Sequence, residues 1–211
     1  METIGYDEIV RLLQSAAARI KDNHAHLSQL DSAVGDGDHG SAMVRAMEAV
    51  EKAIAESDGG DMKGVLYSAG WGLMSAAGGA PGPLLGSLLM GMSESVAGKD
   101  ALDCPAMAEM FEKGLANLRK QSKAELGDKT MVDALVPAVE AIRAAADGSQ
   151  AIPAALAQAA AAAAAGAEST RDMLAKFGKA RNLGERTLGI VDPGATSISY
   201  IFRAFADAAG E

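Results

Sequence analysis

The amino-acid sequence predicts an all-α protein: a single domain of eight helices, packed antiparallel where the connections are short. Three observations lead there. Apolar residues recur at three- and four-residue spacings through most of the chain, and no stretch alternates as a half-buried strand does. Alanine is abundant while only 4% of residues are aromatic, which suits close-packed helices and leaves little for a β-sandwich. The breaks between periodic stretches are short, and no linker-like segment divides the 211 residues.

In order, Ile9, Leu13, Ala16, Ile20 and Leu27 make one stripe of a long first helix, with His24 and His26 as helix-end or surface residues. After an acidic loop, Met43, Met47, Val50 and Ile54 mark a second helix. Ser57-Asp58-Gly59-Gly60 breaks the chain, and Asp61 caps a third helix carrying Val65, Leu66, Ala69, Leu73 and Ala76. Gly78-Gly79-Ala80-Pro81-Gly82-Pro83 reads as a loop, with Pro83 opening a fourth helix that carries Leu84, Leu85, Leu88, Leu89 and Met92. Asp103 and Pro105 start a fifth helix with Met107, Phe111, Leu115 and Leu118. Gly127-Asp128-Lys129-Thr130 is a polar loop whose lysine reads as solvated. A sixth helix follows with Met131, Leu135, Val139 and Ile142, and Pro137 is expected to kink it. Pro153 opens an alanine-rich seventh helix to about Ala175, a composition compatible with a close-packed interior. Asp192 as N-cap and Pro193 at the first turn begin the last helix, with Ile198, Ile201, Phe202 and Phe205 on its apolar side.

Composition narrows the function classes. A net charge of −9 disfavours nonspecific attraction to nucleic acid or to an anionic membrane. Cys104 is the only cysteine, so no disulfide forms within the chain and a reducing, cytoplasmic setting is expected. The first residues have neither a basic nor an apolar leader pattern, and no apolar stretch is long enough to span a bilayer.

The chemistry concentrates in Leu30-Asp31-Ser32-Ala33-Val34-Gly35-Asp36-Gly37-Asp38-His39-Gly40. Carboxylates this close repel one another, and a divalent cation removes the conflict. With no cysteine among them, Asp31, Asp36 and Asp38 suit an oxygen-seeking ion such as Mg²⁺ or Ca²⁺ better than zinc. An EF-hand fails in both registers, because the twelfth position would be Met47 or Ala42 rather than a bidentate Glu. A solvated acidic turn would suffice for one Asp-Gly pair; the full Asp31, Asp36, Asp38, His39 set favours a metal site. The loop feeds the second helix, whose free N–H groups favour an anion, so a metal-bound phosphate is expected there. The glycine-rich loop before Pro83 matches neither the P-loop nor the dinucleotide spacing. Lys176 to Arg186 is the one basic segment of the acidic chain, fit for a phosphate or an acidic partner, and the start of the last helix is a second anion candidate.

Four ordered blocks then carry a resemblance: the Asp31-to-Gly40 loop, Gly78 to Leu84, Gly127 to Met131, and Gly184-Glu185-Arg186 with Asp192 to Ser197. Nearly end to end, the sequence resembles the nucleotide-binding L subunit of dihydroxyacetone kinase. The resemblance implies an eight-helix antiparallel barrel with ADP or ATP bound at one end. It implies two Mg²⁺ ions held by Asp31, Asp36 and Asp38. It implies nucleotide contacts from His39, Gly40, Ser41, Ala42, Gly79, Ala80, Pro81, Ser122, Met131, Lys179, Arg186, Asp192, Pro193 and Gly194. From pattern alone Met131 and Leu84 read only as core. Two departures stand out: no Asn follows His39-Gly40 where family members of the phosphoenolpyruvate-driven branch often have one, and Lys179 stands where an Arg is expected, losing bidentate geometry.

The activity implied is phosphoryl transfer with no covalent nucleophile in this chain. Its partners would be a K subunit that holds dihydroxyacetone, a phosphotransferase-system donor, and a second copy of the chain in a homodimer. The His of Asp36-Gly37-Asp38-His39-Gly40 favours the branch in which ADP stays bound and is rephosphorylated by that phosphoenolpyruvate-fed donor. The alternatives are an ATP-dependent dihydroxyacetone or four-carbon ketose kinase, a fatty-acid-kinase-like nucleotide domain, and a metal-binding helical protein without catalysis.

Overall fold

A computed structural model describes residues 2–76 and 81–210. Among these residues the chain forms nine α-helices: α1 (Tyr6–Asp22), α2 (His24–Val34), α3 (His39–Ala55), α4 (Met62–Ala76), α5 (Pro81–Ser95), α6 (Cys104–Gln121), α7 (Val132–Asp147), α8 (Ile152–Ser169) and α9 (Pro193–Gly210). Short 3-10 segments cover Thr170–Asp172 and Ala180–Thr187. No strand occurs among the described residues; a single antiparallel bridge joins Ile4 to Leu102. No described helix is long and apolar enough to cross a membrane.

Eight of the helices close a ring. In the order α1, α3, α4, α5, α6, α7, α8, α9 each packs on the next, and α9 returns to α1. The starts of α3, α5, α7 and α9 line one cavity together with the end of α6, so helix direction alternates around the ring. This is the expected antiparallel barrel. Its interior is apolar: Leu13, Met47, Leu73, Leu88, Phe111, Leu135 and Phe202 come from seven different helices and are all buried. Phe111, Phe202 and Phe205 stack within it at centroid separations of 5.6, 5.7 and 6.2 Å, a tilted geometry that aromatic rings favour.

The ninth helix comes from a break that periodicity does not reveal. The long first helix ends at Asp22, because the Asn23 side chain donates back to the Arg19 carbonyl at 2.8 Å. Ile20 and Leu27 are nevertheless both buried, so the apolar stripe continues in phase across the break. α2 stands outside the ring, packing on α3, α9 and the Ala180–Thr187 segment. Two boundaries also move: α5 begins at Pro81 rather than Pro83, and α8 ends at Ser169 rather than near Ala175. α7 continues through Pro137, from Val132 to Asp147. The early end of α8 has a local cause: Thr170 donates its hydroxyl to Ala167 O at 2.6 Å and accepts the N–H of Asp192 at 2.8 Å, tying the helix end to the start of α9. α6 starts as expected, with Asp103 accepting the N–H of Ala106 at 2.9 Å.

Candidate functional site

Asp31 lies on the last turn of α2, and Asp36 and Asp38 follow in the link to α3. One carboxylate oxygen from each falls within 4.8 Å of the others. The backbone needs glycine here in two ways. Gly37 has φ +77°, and a Cβ on Gly35 would fall 2.4 Å from Asp31 Oδ1. Without those glycines the chain could not fold Asp31 back toward its neighbours. Asp31 Oδ2 also accepts the backbone N–H of His39 at 3.1 Å, which fixes the carboxylate against the start of α3. An all-carboxylate donor set with no thiolate or imidazole fits a hard divalent cation such as Mg²⁺. Lys179 donates to Asp36 Oδ2; this hydrogen bond holds the Asp36 carboxyl below its ordinary value and the Lys179 ammonium above its own.

These groups open on a cavity of about 530 Å³ at one end of the barrel. α3 begins without a side-chain N-cap, and beyond His39, whose N–H goes to Asp31, the N–H groups of its first turn have no side-chain acceptor. At the start of α7 the Val132 N–H goes to Thr130 Oγ1 at 3.2 Å. Together with α5 and α9, four helix starts converge on one space, an arrangement that favours a polyanion. His39 is buried, and its Nε2 lies 2.8 Å from Ser197 Oγ. Because that hydroxyl donates to Pro193 O at 3.0 Å, Nε2 carries the proton and donates. Burial lowers the His39 pKa, against the raising influence of Asp31 and Asp38, so the ring is neutral at pH 7. The imidazole thus joins the start of α3 to the first turn of α9. Asp192 caps α9, accepting the N–H of Ala195 at 2.7 Å. Burial pushes its carboxyl up to about 7, although the Ala195 N–H and Lys129 act to lower it.

The connection between α8 and α9 wraps over the α6–α7 link. Lys129 is not solvated: it is buried, and its ammonium donates to the carbonyls of Thr170, Thr187 and Ile190. Lys176 donates to Asp128 Oδ1 at 2.7 Å, and Asp128 O accepts the Lys176 N–H at 3.2 Å. The Asp128 carboxyl is lowered chiefly by that lysine.

Of the residues singled out from the sequence, Asp31, Asp36, Asp38, His39, Ala42, Pro81, Ser122, Met131, Lys179, Asp192, Pro193 and Gly194 line this one cavity. Gly40, Ser41 and Arg186 are not on its wall. Gly40 packs against α2, where a Cβ would fall 2.1 Å from His24 O; Ser41 donates to Asp38 O at 2.8 Å; Arg186 is exposed on the connection. Gly79 and Ala80 lie outside the described residues. The wall also includes Val34, Pro83, Leu84, Gln121, Lys129 and Phe177. Sequence pattern gave no sign of Gln121 or Val34, which face the cavity only because of where their helices end.

The chain shares its sequence and fold with known proteins. It is 37% identical over 207 residues to the ADP-binding subunit DhaL of the PEP-dependent dihydroxyacetone kinase of Escherichia coli, covering 97% of each chain. It is 35% identical over 202 residues to the ADP-binding subunit DhaL of PEP-dependent dihydroxyacetone kinase 1 of Listeria innocua, covering 96% of each. The fold superposes on the dihydroxyacetone kinase from C. freundii, solved in complex with AMP-PNP and Mg²⁺, with a TM-score of 0.74 and 27% identity. That match covers 94% of this chain and 33% of the C. freundii chain, so this protein spans about a third of that kinase. Residues 33–207, from inside the acidic loop, two residues after Asp31, to the last turns of α9, match the DAK2 domain. With that match over most of its length, and relatives this similar over nearly all of it, the chain belongs to the DAK2 domain family.

Proposed function

We propose that this protein is the nucleotide-binding, phosphoryl-transferring subunit of a dihydroxyacetone kinase, acting as one domain over residues 1–211 in the cytoplasm. The observation that carries the reading is the cavity itself: three carboxylates within reach of one cation face four converging helix starts. Asp31, Asp36 and Asp38 would hold Mg²⁺, which when bound neutralises charge on the nucleotide phosphates. Free N–H groups opening α3 and α9 donate to the phosphate oxygens. Lys179 supplies the mobile positive charge, exchanging Asp36 for phosphate as the ligand arrives. Met131 and Leu84 give an apolar wall suited to the base. Neutral His39 holds α3 and α9 in register.

No described residue of this cavity is arranged to capture a ketone covalently, which supports a separate K subunit as the holder of dihydroxyacetone. Leu126, Leu174, Phe177 and Leu188 are exposed on the two interlocked connections beside Lys176, Lys179 and Arg186, and this mixed apolar and basic rim is where we dock the partner. The relatives' names, PEP-dependent and ADP-binding, support the branch in which ADP stays bound and a phosphotransferase-system donor rephosphorylates it.

Mass spectrometry of nucleotide that co-purifies with the chain, followed by its exchange against free ATP, tests this directly. Slowly exchanging ADP is expected. Asp36→Ala or Asp38→Ala should abolish Mg²⁺-dependent retention with helix content intact; unchanged, metal-dependent affinity in either variant would remove the metal assignment.

A further inference from the structure

We propose that Lys129 is a positioning residue of the nucleotide site: its ammonium clamps the neck of the loop that carries Lys179 and so sets where that cation and the start of α9 face the cavity. The inference rests on the nucleotide-binding reading above.

Lys129 is only 3% exposed, in a left-handed backbone conformation with φ +59° that non-glycine residues seldom adopt. Nothing local requires a lysine there. What requires it lies across the chain: Nζ donates to Thr170 O at 2.6 Å, Thr187 O at 2.8 Å and Ile190 O at 2.6 Å. An ammonium has three hydrogens, and all are used on carbonyls, so none is left for a phosphate. The side chain acts on the ligand only through what it holds.

What it holds is the α8–α9 connection. One acceptor lies where that connection leaves α8 and two lie where it returns. The same neck is closed by Gly189 N donating to Arg171 O at 2.8 Å and by Arg171 Nη1 donating to Gly189 O at 2.9 Å. The residues between form an Ω-like loop. Lys179, at the cavity, rides on it, and its exit runs straight into Asp192 and α9. On the barrel side Lys129 is itself fixed, because the Asp133 carboxylate of α7 accepts the N–H groups of Gly127 at 2.5 Å and Thr130 at 2.8 Å. A rigid helix start therefore dictates the placement of a loop that is some forty to sixty residues distant in sequence. Replacing the ammonium by an apolar group would leave the Thr187 and Ile190 carbonyls without a donor, while Thr170 O would keep only the Met173 N–H, so the neck would open.

The test compares Lys129→Met and Lys129→Arg in the full chain. Four quantities are read: helix content, binding of Mn²⁺ alone, ADP affinity in Mg²⁺, and the order of tryptic cleavage. Lys129→Met is expected to stay helical and bind Mn²⁺ no more weakly than the wild type. It should lose about 10- to 100-fold in ADP affinity, the range that follows loss of an outer-shell partner, and be cut first between Lys176 and Arg186. Lys129→Arg, which keeps charge and donors, should recover part of that affinity. Wild-type ADP affinity in Lys129→Met would overturn the proposal. So would a parallel loss of Mn²⁺ binding, ADP binding and helix content, which would make the lysine a stabiliser only. Should Lys129→Met not fold, the exposed Arg171→Ala opens the same neck from outside; it should weaken ADP binding without weakening Mn²⁺, and unchanged ADP affinity there would overturn the proposal. A wild-type chain that binds no Mg²⁺–ADP would instead remove the nucleotide-binding reading on which the proposal stands.

Discussion

The Asp192 carboxyl accepts the N–H of Ala195 and so starts α9, but it does so where burial favours its neutral form and raises its pKa to about 7. The sign of the consequence follows from linkage. Below the ordinary carboxylate value both folded and unfolded chains hold the proton; above it the unfolded chain releases the proton first, so this stabilisation is lost as pH rises through about 7. His39, whose pKa is lowered by burial, contributes in the opposite direction, gaining stability with rising pH. Asp192→Asn keeps a cap of similar quality and fixes the neutral state, while leaving His39 in place. We expect it to be more stable than the wild type at pH 8, with the gap closing toward pH 5, when denaturant midpoints are compared across that range. A gap that does not change with pH would contradict the assignment. At this scale the sequence was most legible where partners are close along the chain: Asp31, Asp36 and Asp38 announce themselves within eight positions. Lys129 reads as a solvated loop lysine for the opposite reason, since its acceptors lie on the far side of α7 and α8 in the chain.

Among the helices, α7 and α8 show how a residue that weakens one element shapes its neighbour. Pro137 has no N–H to offer the Asp133 carbonyl four residues earlier. That carbonyl is where α8 comes closest: a Cβ on Gly166 would fall 2.1 Å from Asp133 O and 3.0 Å from Ala134 Cα. The alanine-rich sequence of α8 allows the approach, and its one glycine marks the point of contact. Alanine is the better helix former by about 1 kcal/mol, yet Gly166→Ala should destabilise the protein by about 1–3 kcal/mol through overpacking against fixed backbone. Chemical denaturation measures this; a stabilised variant would mean the helices separate freely. The alanine content made close packing legible, but not the contact point, which depends on a proline in another helix. The break between α1 and α2 was hidden for a related reason. Its apolar stripe stays in phase, so hydrophobic spacing reports one helix where backbone geometry makes two.

For the molecule as a whole, the closed ring of eight helices gathers the starts of α3, α5, α7 and α9 at one end and leaves α2 to bring Asp31 over the rim. The ring supplies rigidity, and the links at that end supply the chemistry. This division made the fold class legible from period and composition, whereas ring closure needed contacts between α1 and α9, at opposite ends of the chain. Among the described residues the cavity offers no group arranged to capture a ketone covalently, which fits the proposed separation of labour between subunits. The most direct measurement is a transfer assay with the labelled phosphoryl group on the bound nucleotide, run on this chain alone, then with a dihydroxyacetone-binding K subunit, then with a phosphoenolpyruvate-fed donor for continued turnover. Label should reach dihydroxyacetone only when the K subunit is present, and sustained product should need the donor, with free ATP a poor substitute. Turnover by the lone chain, or no transfer with the K subunit present, would contradict the account.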